Sequence, residues 1–239
     1  MDLKEEEILG DQIKSHWYYR AKAAALLRDL RGQAPKEILD IGAGSGFFSR
    51  TLLKETTAER ATCVDIGYRQ DKDECWHGKP IAFRRSIAHS QADLVLAMDV
   101  IEHVGDDAAL ISAYCDLVPP GAKFIISVPA FNFLWSAHDV FLEHYRRYTL
   151  RSLEAAMRKG GLIVDWSHYY YAAVFPLAAG LRLAERLKRP HATAPQSQLR
   201  RHGVLTNEFF SALLAAERPF MRVNRLFGLT AFAGGHKAN

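Results

Sequence analysis

Ile38-Leu39-Asp40-Ile41-Gly42-Ala43-Gly44-Ser45-Gly46-Phe47-Phe48 runs an apolar strand straight into a GxGxG turn and from there into a helix. Glycines at such a bend let the backbone reverse tightly and let a ligand approach atoms that a Cβ would shield. A dinucleotide-binding turn wants its third glycine three positions after the second; here that place is Phe47, and Gly46 comes one residue early. A pyrophosphate cradle is therefore disfavoured. Asp40, two residues before the first glycine, would repel a diphosphate but suits a ligand with positive charge. Asp65 closes the next apolar run, where a carboxylate can accept both hydrogen bonds of a ribose diol. The turn thus asks for a cationic ligand built on a single nucleoside.

Working outward, short apolar runs at Glu37–Ile41, Ala61–Asp65, Ile81–Arg84, Ala92–Met98 and Lys123–Val128 alternate with helical stretches after Gly46, over Asp107–Leu117 and over Leu150–Lys159. Runs too apolar for a half-exposed strand, separated by helices, predict a parallel sheet covered on both faces. Gln12–Leu30 reads as a helix ahead of the sheet, and Ile66–Pro80 as a short polar connection with room for only a brief helix. Beyond Gly161, Leu162–Tyr171 supplies a sixth strand and Leu226–Ala233 a seventh, with an insertion of some fifty residues between them. Arg189–Gly203 reads as a loop and Asn207–Arg218 as a helix.

The chain has 239 residues and a net charge of +4, enough for one sizeable core with additions. From Arg146 onward fifteen Lys and Arg face five Asp and Glu, so the second half is strongly basic and the first acidic. No nucleic-acid motif accompanies the charge, and none is expected as a partner. Cys63, Cys75 and Cys115 are scattered without CxxC spacing, which argues against a disulfide framework or a zinc site and fits a reducing cytoplasm. Met1–Ile8 is acidic and polar rather than a basic stretch before an apolar one, and no apolar run approaches bilayer length. Residues 169–189, apolar with Arg182, Arg186, Lys188 and Arg189 at the far end, are read as a cap over the acceptor, a subunit contact, or a helix resting at the inner face of a membrane.

The strand-turn Leu39–Gly46, the acid Asp65, the run Asp99-Val100-Ile101-Glu102-His103-Val104 and the lead Leu117-Val118-Pro119-Pro120-Gly121-Ala122 together resemble class I S-adenosylmethionine-dependent methyltransferases, in particular the ubiquinone- and menaquinone-pathway type. The resemblance covers roughly residues 12–170 and does not specify an acceptor. It implies an α/β, Rossmann-like, seven-stranded mostly parallel sheet with helices on both faces. The expected organisation is a cap helix (1–34), a core binding S-adenosylmethionine (35–171), a helical insertion (172–225) and a last strand with the C-terminus (226–239). It also implies that Asp40, Gly42, Ala43, Gly44 and Gly46 surround the methionine part, Asp65 and Ile66 the ribose, and Met98, Asp99 and Val100 the region beneath the sulfur. Where many relatives hold adenine with an acid or amide, this chain has Arg84-Arg85-Ser86-Ile87, leaving Ser86 and backbone groups for that role.

Arg20, in His16-Trp17-Tyr18-Tyr19-Arg20, could grip the donor carboxylate by a charge-assisted fork. His103 joins the expected donor-site residues, with a structural place at a helix start as the alternative. The aromatic segment Ala130–Tyr148 leaves the carboxyl edge beside the donor and carries two candidate bases, His138 and His144, with Tyr145 beside the second. His144 is preferred. Asp139 and Glu143 are metal-ligand types, but their spacing carries no coordination geometry, and no metal is assigned. Arg146 and Arg147 could pair with an acceptor anion or form a solvated pair. The expected reaction is methyl transfer to O, N or C of a small or lipid-linked acceptor. Its rivals are a non-catalytic donor-binding module and a nicotinamide-dependent oxidoreductase.

Overall fold

The computed structural model describes residues 10–188 and 203–238. A short 3-10 turn, Gly10–Lys14, leads into helix α1, Trp17–Asp29. Then follow β1 (Glu37–Ile41), α2 (Phe47–Glu55), β2 (Arg60–Val64), β3 (Lys72–Trp76), β4 (Lys79–Arg84) and β5 (Leu94–Met98). Next are α3 (Asp107–Leu117), β6 (Lys123–Pro129), the short α4 (Ala137–Phe141), α5 (Leu150–Lys159) and β7 (Leu162–Tyr170). The chain closes with α6 (Phe175–Lys188), α7 (Val204–Glu217) and β8 (Thr230–Lys237). Of the expected loop Arg189–Gly203, residues 189–202 lie outside the described residues, and Gly203 caps α7.

The strands form one sheet in the order β3-β4-β2-β1-β5-β6-β8-β7. The central pairs β4–β2, β2–β1, β1–β5 and β5–β6 are parallel. The edges β3–β4, β6–β8 and β8–β7 are antiparallel. Strand order reverses between β1 and β5, the switch point at whose carboxyl side open α/β sheets bind ligands. Two clusters of buried apolar residues pack on the sheet: one gathers α1, α2 and α7 side chains, the other α3 and α5. β1 and β5 are buried almost throughout, as strands covered on both faces must be.

The sheet has eight strands rather than seven. The additional strand, β3, comes from the segment expected to be a polar connection. His77 (φ 53°) and Gly78 (φ 77°) both adopt left-handed backbone and turn β3 back onto β4, the two-residue geometry that matches strand twist in a hairpin. The final strand also starts later than expected, at Thr230. It slots between β6 and β7, and the Trp166 ring lies so close over Gly234 that a Cβ there would come within 2.3 Å of it.

Candidate active site

β1 ends where Gly42, Gly44 and Gly46 take φ values of 58°, 53° and 71°. Left-handed backbone at three alternate positions is affordable only without side chains. A Cβ on Gly42 would lie 2.7 Å from Val100 Cγ2, so the turn packs directly against the end of β5. Asp65 fixes it from the other side: Oδ2 accepts from the Gly44 N–H at 3.0 Å and Oδ1 from the Gly67 N–H at 2.9 Å. Tyr68 Oη donates to the Gly44 carbonyl at 2.6 Å, and Ala43 N–H to the Val64 carbonyl. Ile66 and Ser86 lie exposed nearby.

Asp40 is buried beneath the turn, where the Ser49 hydroxyl donates to its Oδ2 at 2.8 Å. Burial pushes its carboxyl up to about 6, against the pull of the Ser49 hydrogen bond. Its field reaches the turn, but its oxygen is held by α2.

Across the switch point, Met98 is buried and Asp99 breaks the strand with φ 57°. The Asp99 carboxylate receives the ammonium of Lys22, a fully buried side chain of α1 that also donates to Tyr18 Oη at 2.8 Å. Burial pulls the lysine pKa down, but the Asp99 charge and Tyr18 more than offset this and hold it above its ordinary value; Asp99 is correspondingly lowered. The Tyr18 ring stacks on Tyr171 at 5.1 Å, and Tyr171 Oη donates to the Tyr18 carbonyl. Arg20, expected to grip the donor, is turned away: two residues from Lys22 on a helix, it faces nearly the opposite side and pairs with Glu208 of α7 at 2.7 Å. Lys22 is therefore the cation that α1 brings to the carboxyl edge.

The segment after β6 folds around Asp139. Ser136 and Asp139 form a capping box at the start of α4. Arg147 Nε and Nη2 donate to the two Asp139 oxygens at 2.6 and 3.0 Å, and His144 Nδ1 lies 3.0 Å from Oδ1. Burial would raise the Asp139 carboxyl, but His144 and Arg147 hold it well below the usual range. Of the expected arginine pair, Arg147 is thus a buried anchor. Arg146 donates to Asp107 and to the Val104 and Gly105 carbonyls.

His144 stands edge-on to His103, with ring centroids 4.6 Å apart. Beneath them Glu102 is fully buried, and neither carboxylate oxygen has a hydrogen-bond partner. Burial and then the Asp99 charge push its carboxyl well above the usual carboxylate range. One ligand atom each from Glu102, His103 and His144 lies within 4.8 Å of the others, a donor set that could hold a divalent cation. These differ from the Asp139 and Glu143 singled out by type alone.

His138 sits in α4, its backbone N–H bonded to Ser136 Oγ, and Tyr145 is exposed with its N–H on the Glu102 carbonyl. Phe131, strained at φ 59°, stacks on Tyr169 at 4.8 Å and contacts Phe133 and Phe175, giving this edge an aromatic wall. The structure therefore brings Asp65, the three glycines, Met98, Asp99 and Val100 together, and gathers His103 with His144. Lys22, Glu102 and the anchoring roles of Asp139 and Arg147 were not read from sequence.

A family model described as a methyltransferase domain matches residues 15–165. The chain belongs to this methyltransferase-domain family. Among curated relatives, a ubiquinone biosynthesis O-methyltransferase of Psychrobacter cryohalolentis is 28% identical over 109 residues, covering 40% of this chain and 42% of the relative. The match thus spans less than half of that relative's length. In fold, the chain resembles the N-methyltransferase NodS of Bradyrhizobium japonicum WM9, solved with S-adenosylhomocysteine (TM-score 0.54, 13% identity, 97% of this chain and 91% of that one). It also resembles phosphoethanolamine N-methyltransferase 2 of Haemonchus contortus, solved with S-adenosylmethionine (TM-score 0.56, 16% identity, 98% of this chain and 56% of that one). At such identities the likeness establishes a shared fold.

Proposed function

We propose that the chain transfers the methyl group of S-adenosylmethionine to an oxygen, nitrogen or carbon of a small or lipid-linked acceptor. The observation that carries this reading is the pairing of two features at one switch point: a glycine turn laced to Asp65, and the buried Lys22–Asp99 ion pair. The donor's amino-acid end is a zwitterion, and a lysine beside an aspartate offers each of its charges an opposite partner. Asp65, now capping the turn, can share its carboxylate with the ribose diol. Buried Asp40 adds negative potential below a donor that is positive at sulfur and nitrogen. A diphosphate would meet the same field as repulsion, which speaks against a nicotinamide cofactor.

Methyl transfer is an in-line displacement: the acceptor–carbon bond forms as the sulfur–carbon bond breaks, and S-adenosylhomocysteine leaves. The protein supplies alignment and exclusion of water. Where the acceptor must lose a proton, His144 takes it. With its Nδ1 proton donated to Asp139, Nε2 is left as the basic nitrogen, in the manner of an oriented general base. The aromatic wall around Phe131 favours an acceptor with an apolar body. A non-catalytic module would bind donor equally well, but substitution of His138 and His144 would then leave its biological activity intact.

Calorimetric titration with S-adenosylhomocysteine and with NADH tests the donor assignment. Saturable binding of the first alone is expected, and binding of NADH alone sinks the reading. Incubation with methyl-tritiated S-adenosylmethionine and phenolic acceptors with and without a prenyl tail then reports the acceptor class.

One observation extends the reading to a membrane surface. No helix among the described residues is long and apolar enough to cross a bilayer. Yet Leu177, Leu181 and Leu183 of α6 are each more than half exposed, and while Arg182 turns inward to the Leu134 carbonyl, the sequence over 186–201 carries five Lys and Arg and no Asp or Glu. An apolar face flanked by cations is the composition of a helix lying in an anionic interface.

A further inference from the structure

α1 has a second face. Lys22 points to the carboxyl edge of the sheet, and on the opposite side Arg20, Ala23, Ala24 and Leu27 line a cleft of about 940 Å³ between α1 and α2. Gly42, Gly44, Asp65 and Asp99 are not among its described lining residues; of the glycine turn only Ser45 is, so the cleft meets the turn from the side of α1 and α2. Ala23 and Ala24 contribute little bulk, which is what leaves the floor open. Phe47 and Trp76 bring aromatic walls, the latter from the β3–β4 hairpin, whose indole N–H is pinned to the Arg50 carbonyl at 3.0 Å. The Arg50 guanidinium lies over the Trp76 ring at 4.9 Å.

Charge around this cleft is one-sided. Among the described residues Lys14, Arg20, Arg50 and Lys54 line it against one acid, Glu55, which pairs with Lys54 at 2.9 Å. Arg20 and Arg50 pair with acids, Glu208 and Glu74, that are not part of the lining, and Lys14 Nζ lies over the Trp76 ring at 5.8 Å. An apolar, aromatic-walled space rimmed by cations selects a flat hydrophobic body with one negative charge: the ring stacks and the anion is met by ammonium or guanidinium groups.

We propose that the cleft between α1 and α2 is a second ligand site, for an aromatic carboxylate. Ser45, within the glycine turn, and Phe47, just after it, border the cleft, so an occupant here would touch the donor loop on its α2 side.

The test is calorimetric titration of the full chain with 2-naphthoate and with the neutral 2-naphthalenemethanol, each with and without saturating S-adenosylhomocysteine. Saturable binding of 2-naphthoate is expected, with the alcohol at least tenfold weaker and no displacement by S-adenosylhomocysteine. Ala24→Leu, which fills the floor, and Lys54→Glu, which reverses a half-exposed rim charge, should each weaken 2-naphthoate at least tenfold while S-adenosylhomocysteine binding shows that the variant is folded. Absence of saturable binding overturns the proposal, as does equal affinity for the alcohol. Displacement by S-adenosylhomocysteine overturns it by placing the ligand in the donor site, and unchanged affinity in both variants does so by placing it elsewhere. Saturable 2-naphthoate binding and its preference over the alcohol are read without the donor present, so they stand or fall apart from the donor assignment.

Discussion

Lys22 and Asp99, 77 positions apart in the chain, form a buried ion pair that ties the cap helix α1 to the end of β5. The lysine side chain has no solvent exposure and the aspartate side chain 23%, so the lysine charge has no water to fall back on while the aspartate keeps some. Removing one partner strands the other, which typically costs about 3–5 kcal/mol. Lys22→Met leaves the partly exposed Asp99 and is therefore expected to destabilise the protein by no more than the lower end of that range and to weaken S-adenosylhomocysteine at least tenfold. Urea denaturation and calorimetry read the two effects. A stable variant with unchanged affinity would remove Lys22 from the donor site.

The glycine turn makes a steric prediction. Gly42→Ala places a Cβ 2.7 Å from Val100 Cγ2 and forces an alanine into left-handed backbone. Backbone strain of this kind costs about 1–3 kcal/mol. The Val100→Ala second change relieves the contact but not the φ angle, so the double variant should recover only part of the lost stability and donor affinity. Full recovery would mean that crowding alone selects glycine there.

Asp40 makes the stability of the fold pH-dependent. Its carboxyl sits at about 6 in the folded protein, against about 3.9 when unfolded. The native state thus binds the proton more tightly, and between these values the group's contribution to stability falls as pH rises. A shift of roughly two units corresponds to about 3 kcal/mol, lost by pH 7. Asp40→Asn keeps an acceptor for the Ser49 hydroxyl without the charge. It should be the more stable protein at pH 7, with its advantage shrinking toward pH 4, while binding the cationic donor less tightly. A pH-independent difference in urea midpoints would show that Asp40 does not titrate in this window.

The history of these residues in the sequence is uneven for physical reasons. β1, β5 and β6 announce themselves because strands buried on both faces must be continuously apolar, and α3 and α5 match their expected limits because Asp106 and Thr149 cap them. β3 is an edge strand, Lys72-Asp73-Glu74-Cys75-Trp76, with no residue fully buried, so hydropathy carried no trace of it; the hairpin signal lay in His77-Gly78. Nothing in the sequence marks Lys22 on its Ala- and Leu-rich helix, since its partner Asp99 is distant in the chain. His144 was legible as a residue type in an aromatic segment. Its link to Asp139 was not, because the four residues between them adopt a short helix and a turn through Glu143 at φ 59° that no periodicity encodes.

The Asp139 cluster separates a positioning role from a structural one. His144→Gln removes the imidazole while leaving the Asp139–Arg147 pair in place, so donor affinity and stability should hold while methyl transfer to an ionisable acceptor drops at least a hundredfold, within the range that general bases contribute. Asp139→Asn should cost stability, because Arg147 is then left buried opposite a neutral amide. Retained transfer in His144→Gln would move the base elsewhere.

The membrane reading rests on the exposed leucines of α6. Leu177 and Leu181 are one turn apart and so share a helix face. Replacing both by Asp removes apolar area and adds charge of the wrong sign for an anionic surface, without disturbing a buried contact. Flotation with vesicles of phosphatidylglycerol and phosphatidylcholine at low salt should carry the unaltered chain upward and leave Leu177→Asp/Leu181→Asp in the lower fraction. Raising the salt should weaken the association, because the flanking cations act only within about a Debye length of the lipid headgroups. If the unaltered chain stays in the lower fraction at low salt, α6 covers the acceptor or another subunit instead.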